Sequence, residues 1–172
     1  MSVQALESKT IERHNGASAH ARWFETNDNV TVYTYLSVTE TDDGTDIHVS
    51  TSMHGPDFWS DKSGYLFTKD DVFKINNGLN SASLSAVKIE VYNWYTGETE
   101  TLTVKADWIG KGDISGDSSK YSSKNGDYMR KNSESSNSRD ASAIGSINGY
   151  DLGASSYASL SNFKSAYMSM NK

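Results

Sequence analysis

The stretch "NVTVYTYLSVTETDDGTDIHVSTSMH", residues 29–54, decides the fold. Apolar residues recur at alternate positions in its first half: Val30, Val32, Leu36 and Val38, with Thr31, Tyr33, Tyr35 and Ser37 between them. After "TDDG" the period resumes, with Ile47, Val49 and Met53 on one side and Asp46, His48, Ser50, Ser52 and His54 on the other. A period of two is what a strand with one buried face requires. Joining the two runs through "TDDG" sets Val38 opposite Ile47, Leu36 opposite Val49 and Ser52 opposite Tyr33. A slip of one residue would turn every apolar side chain outward, so this pairing is well specified.

Upstream, "ASAHARWF" alternates Ala17, Ala19, Ala21 and Trp23 against Ser18, His20, Arg22 and Phe24. Joined through the loop "ETND", it sets Trp23 opposite Val30, Ala21 opposite Val32 and His20 opposite Tyr33. Residues 1–14 are the best helix candidate, because Val3, Leu6 and Ile11 share a loose face, with a frayed terminus as the other reading.

Downstream the period weakens. "YLF" and "VFKI" read as short strands, and Phe58 and Trp59 sit in a loop after Pro56. A hairpin follows. With Thr96-Gly97 as a two-residue turn, Val91 faces Leu102, Ile89 faces Val104, Val87 faces Ala106, and Trp108 returns to the same face. Residues 110–140 are rich in serine and nearly free of aliphatic side chains, so they read as a long polar loop. In the last segment Ala158, Leu160, Ala166, Met168 and Met170 share one parity, and a strand reached after a long loop suits a Greek-key return. The expectation is one all-β domain over residues 1–172. It is an antiparallel β-sandwich, Greek-key-like, of about eight strands, with a closed β-barrel as the alternative.

Composition narrows the function. There is no cysteine, so neither a disulfide nor a zinc-thiolate site can form. The net charge of −6 opposes binding to nucleic acid and to anionic membranes. No apolar run approaches the roughly 20 residues of a membrane helix. Nor does the 110–140 segment alternate apolar and polar residues as an inserting hairpin would, so no membrane insertion is expected.

The segment "LNSASLSAVKIEVYNWYTGETETLTVKADWIGKGD" carries a resemblance. A "SASL" strand precedes a hairpin that ends in Trp108, Gly110 and Gly112, and a polar loop then leads to the "RDASA" strand, Arg139 to Ala143. Over residues 79–170 this resembles uncharacterised exported bacterial β-proteins. The resemblance implies a similar β fold and a place outside the cytoplasm, secreted or at the cell surface. It carries over no catalytic residue. No signal sequence is read in the chain as it stands, so a cytoplasmic location is the alternative.

Two groups of side chains are candidate sites. On the hairpin, Tyr92 and Trp94 point away from the core face and Tyr95 lies at the tip, with Trp59 able to join them from its loop. Aromatic rings on an outer face form a flat platform for the C–H faces of sugars, unless a second layer covers them. The second group is the outer face of the first three strands: His20, Arg22, Tyr33, Tyr35, His48 and His54, which suit an anion or a polar ligand, or are simply a solvated sheet face.

The histidines do not converge as zinc ligands must. "TDDGTD" and "GDISGD" lack the ligand spacing of a calcium loop and read as turns. No metal or cofactor is therefore expected. With no G-x-S-x-G motif and no cysteine, nucleophilic catalysis has no support, and a paired-carboxylate hydrolase is the less favoured reading. The expectation is a non-enzymatic binding module for a carbohydrate or other surface ligand, including a protein surface. The alternative is a structural protein that assembles with copies of itself in a surface layer or matrix.

Overall fold

The computed structural model describes residues 8–171, all of them in strands or the connections between them. The strands are β1 (Ser8–Asn27), β2 (Val30–Thr41), β3 (Gly44–His54), β4 (Trp59–Thr68), β5 (Phe73–Ile75), β6 (Ser81–Asn93), β7 (Thr99–Asn125), β8 (Tyr128–Ile147), β9 (Tyr150–Ala154) and β10 (Tyr157–Asn171). All belong to one antiparallel sheet. β10 pairs with β1 on one side and β8 on the other, so eight strands form a closed circuit: β1, β2, β3, β4, β6, β7, β8 and β10. The order is a meander, with the last strand inserted between β1 and β8. These pairings neither divide the sheet into the two layers of a sandwich nor follow a Greek key.

The inner face is the one the alternation marks. Ala19, Ala21 and Trp23 on β1, Leu36 and Val38 on β2, Ile47 and Val49 on β3, Leu102, Val104 and Trp108 on β7 and Leu160 on β10 are buried in one core. Trp108 is 1% exposed. Its indole N–H donates to the His20 carbonyl at 3.0 Å, and Phe73 packs edge-on against it at 6.3 Å. A buried N–H without a partner would be costly, so this bond fixes where the ring sits. The β4–β6 seam is short, with only Lys62 opposite Asn93 and Ser63 opposite Tyr92. Lys62 and Glu100, 2.7 Å apart, brace it. Gly64 lets the strands close, because a Cβ there would clash with the Glu90 carbonyl oxygen.

Several sequence expectations are corrected. The helix proposed for residues 1–14 is strand over 8–14, paired with β10, and its first seven residues lie outside the described chain. The polar loop proposed for 110–140 is a hairpin instead. β7 and β8 run through it, paired from Ser115 opposite Ser138 to Asn125 opposite Tyr128. Composition misled because these strands extend beyond the core, so neither face needs aliphatic residues, and β10 and β1 continue the ladder beside them. The result is a four-stranded extension of the ring, in the order β7, β8, β10, β1.

The β1–β2 connection is tighter than "ETND". Asp28 and Asn29 form a two-residue turn, both at positive φ, which these side chains tolerate better than most. Trp23 therefore faces Thr34, and His20 faces Ser37 rather than Tyr33. The β6–β7 turn is longer than Thr96-Gly97. The Asn93 carboxamide oxygen accepts from the Tyr95 and Thr96 amides at 2.9 and 3.1 Å, and Ile89 faces Leu102. Both registers move by an even number, so every side chain keeps its predicted face. The β2–β3 register is as read, with Val38 opposite Ile47.

Candidate functional site

The outer face carries the opposite parity, and it is aromatic. The register brings Arg22, Tyr35, Ser50, Ser63 and Tyr92 into one row across β1, β2, β3, β4 and β6. His20, Ser37, His48 and Tyr65 form the next row. The two candidate groups thus lie on one continuous surface, joined by β4.

Contacts tie the rows together. Phe24 meets Tyr33 edge-on at 4.9 Å, Tyr33 meets His54 at 6.0 Å, and His54 lies against Trp59 at 4.2 Å. Tyr35 meets His48 at 5.8 Å, and His48 stacks on Tyr65 at 4.3 Å and 11°. The Arg22 guanidinium lies 5.5 Å from the Tyr35 ring centre. At the hairpin, Tyr92 and Trp94 meet edge-on at 4.9 Å. The Trp94 indole N–H donates to the Ser63 hydroxyl at 2.9 Å, and its amide donates to the Asp61 carbonyl at 3.0 Å. So Trp94 is not a strand residue, as the sequence suggests, but a turn residue laid back onto β4.

No second layer covers the surface among the described residues. Trp94 is 68% exposed, Tyr95 76% and Tyr65 77%, and Phe24, Tyr33, Trp59 and Tyr92 are also exposed. Trp59 joins the histidine group through His54 rather than the hairpin group, and Tyr95 projects from the turn.

Two of the imidazoles, those of His20 and His48, are tuned toward neutrality. Burial, and then the Arg22 charge, push His20 below its ordinary value, and burial alone lowers His48. His20 Nδ1 shares a hydrogen bond with the Tyr35 hydroxyl at 3.1 Å. At neutral pH the surface therefore offers uncharged imidazole, phenol, hydroxyl and indole groups beside the Arg22 guanidinium and the Asp61 carboxylate, which lies in register with Ser52 and Tyr33. Such groups exchange hydrogen bonds with hydroxyls and stack on C–H faces. Among the described residues no group of three or more His, Asp or Glu side chains is placed to hold a metal ion.

Sequence reading did not single out Tyr65, Phe24 or Ser63. The signal for Tyr65 is there: Trp59, Asp61, Ser63, Tyr65 and Phe67 share one parity on β4. It was masked because the opposite parity, Ser60, Lys62 and Gly64, is hardly apolar. Comparison of the chain with protein-family models, with curated proteins and with solved structures finds no match.

Proposed function

We propose that this protein is a non-enzymatic binding module that takes a carbohydrate chain, or a surface displaying one, on its outer face. The observation that carries the reading is the uncovered run of rings from Phe24 through Tyr33, His54 and Trp59, and from Tyr35 through His48 and Tyr65, with Trp94 and Tyr92 beside it. Exposed apolar patches of this kind mark interaction surfaces. The depressed imidazoles favour a neutral, hydroxyl-rich ligand over an anion. An extracellular or cell-surface location follows from the same reading and from the resemblance of residues 79–170. As to architecture, we read the circuit of strands as a closed barrel prolonged at one end; the unbroken pairings and the single core support this.

The test is a panel of soluble glycans titrated by calorimetry against the wild type, Trp94→Ala and Tyr65→Ala. Both variants remove exposed rings, so their melting temperatures stay close to wild type. Saturable binding that weakens about tenfold or more in each supports the reading, the loss of one stacked ring being worth about 1–3 kcal/mol. No saturable binding by any glycan, or binding indifferent to both substitutions, overturns it.

A further inference from the structure

The four-stranded extension divides its charge between its two faces. The face continuous with the core carries Lys9 and Arg13 on β1, Lys164 on β10, Lys131 on β8 and Lys120 and Lys124 on β7. All six are exposed. No acidic side chain shares that face between Ser8 and Ala17, Gly116 and Asn125, Met129 and Asn137, or Asn162 and Asn171. Glu12, Asp117 and Glu134 all point the other way. None of the six cations forms an ion pair among the described residues. The chain has 16 basic and 22 acidic residues, so setting these six aside leaves ten basic against 22 acidic. The cations are thus concentrated against the sign of the whole molecule.

Strand spacing of about 4.8 Å and rows about 7 Å apart place the six charges within roughly 15 by 20 Å. Between them the floor is apolar: Ile11, Met129, Ala166, Met168 and Met170. A recess of about 470 Å³ opens on this face, with Arg13, Lys120 and Lys131 around Ile11, Ala166 and Met168.

The backbone supplies a second, independent observation. β2 leaves β1 after Gly16 opposite Thr41, so, among the described residues, 8–15 of β1 pair only with β10. β6 leaves β7 after Ser81 opposite Ile109, so among the described residues the outer half of β7 pairs only with β8. The extension therefore has two open edges, each able to accept a further strand. On both, the core-side residues read cation, small or apolar, cation at alternate positions: Lys9, Ile11, Arg13 and Lys120, Ser122, Lys124.

We propose that the extension is a docking site for an acidic, extended polypeptide segment of a partner, which adds as a strand to an edge and sets carboxylates four residues apart against these cations. Lysines on an edge also repel a second basic edge, so copies of this chain do not join edge to edge here. That protective role covers four of the six cations and leaves Lys131 and Lys164 unexplained; each lies one strand in from an edge, where its charge adds to the pull on a partner's carboxylates. A planar anionic membrane would use neither the backbone edges nor the floor of the recess. Single-stranded nucleic acid stacks its bases on aromatic rings, and this face has none.

The probe is a nine-residue peptide, acetyl-Glu-Thr-Val-Thr-Glu-Thr-Val-Thr-Glu-amide, titrated by fluorescence anisotropy against the whole chain. Saturable binding is expected, weakening as salt rises. It should be lost when Glu is replaced by Lys, and lost when alternate amides on one edge of the peptide are N-methylated. Lys9→Glu/Arg13→Glu or Lys120→Glu/Lys124→Glu should weaken it about tenfold or more on the edge that is used. Unchanged binding by the N-methylated peptide overturns strand addition, and unchanged affinity in both variants overturns the site. Binding to phosphatidylserine vesicles or oligodeoxythymidylate in place of the peptide also overturns it. The peptide controls use the unaltered protein, so they decide the matter even if a variant fails to fold.

Discussion

Replacing Trp108 tests the link between the core and the outer face. Its side chain is buried and its indole N–H holds the carbonyl of His20, whose own ring points outward to Tyr35. Trp108→Ala removes the largest fully buried side chain and leaves Ala82 and Ala143, its cross-strand neighbours, lining a cavity. Truncating a buried Trp costs about 3–5 kcal/mol, and losing the indole hydrogen bond to a carbonyl that keeps its place in the ladder about 0.5–1.5 kcal/mol more. For a domain of this size each kcal/mol lowers the melting temperature by about 2–4 °C, so a drop of about 7–26 °C is expected. Trp108→Phe keeps much of the volume and removes the donor, and should cost about 2–3 kcal/mol. Urea denaturation measures both, with the midpoint falling at an unchanged slope. A Trp108→Phe midpoint within error of wild type would refute the claim that this hydrogen bond anchors β1 to β7.

Further outcomes follow from the seam, the histidines and the extension. Gly64→Ala forces a methyl against the Glu90 carbonyl and should cost about 1–3 kcal/mol; an unchanged melt would mean the β4–β6 seam is slack. His20 and His48 titrate below their ordinary value in the folded chain, so the unfolded chain binds more protons as pH falls. Their contribution is fully present above about pH 6.5 and declines as pH drops from there toward the folded values. Glu40, raised by burial and then by Asp71, titrates with the opposite sign at lower pH. The measurement is therefore the difference in melting temperature between wild type and His20→Gln/His48→Gln from pH 5 to 8. A wild type no more pH-sensitive than the variant would contradict this assignment. Hydrogen exchange of the inner strand β8 over residues 128–138 should show ladder protection from both sides, and exchange at coil rates would return that segment to a loop.

Much of the ring was legible because alternation records which face is buried, and burial is nearly all that the inner face needs. Val30 through Met53 and Val87 through Trp108 were placed on their true faces even where the register was wrong. The register errors, four residues at β1–β2 and two at β6–β7, arose in the turns. There the chain closes by local chemistry: positive φ at Asp28 and Asn29, and the Asn93 carboxamide bonded to two amides. The extension was illegible for the opposite reason. Over residues 110–140 the ladder has no core beneath it and no apolar stripe to read, and its serines look like a loop. The candidate site was half legible. Its two groups were found, but their fusion through β4 depends on Ser63 meeting Tyr92, a long-range pairing that no local pattern encodes.

One irregularity governs the extension. Between Lys111, opposite Asp140, and Ser115, opposite Ser138, β7 spends three residues where β8 spends one. The surplus is two, so alternation crosses the bulge in phase, and Lys120 and Lys124 emerge on the same side as Trp108. An insertion or deletion of a single residue among Gly112, Asp113 and Ile114 would reverse that phase for the outer half of β7. Lys120 and Lys124 would exchange sides with Asp117 and Tyr121, while the ring kept its registry. Changes of chain length here are therefore constrained by parity, and even numbers preserve the polarity of the extension where odd numbers invert one strand of it.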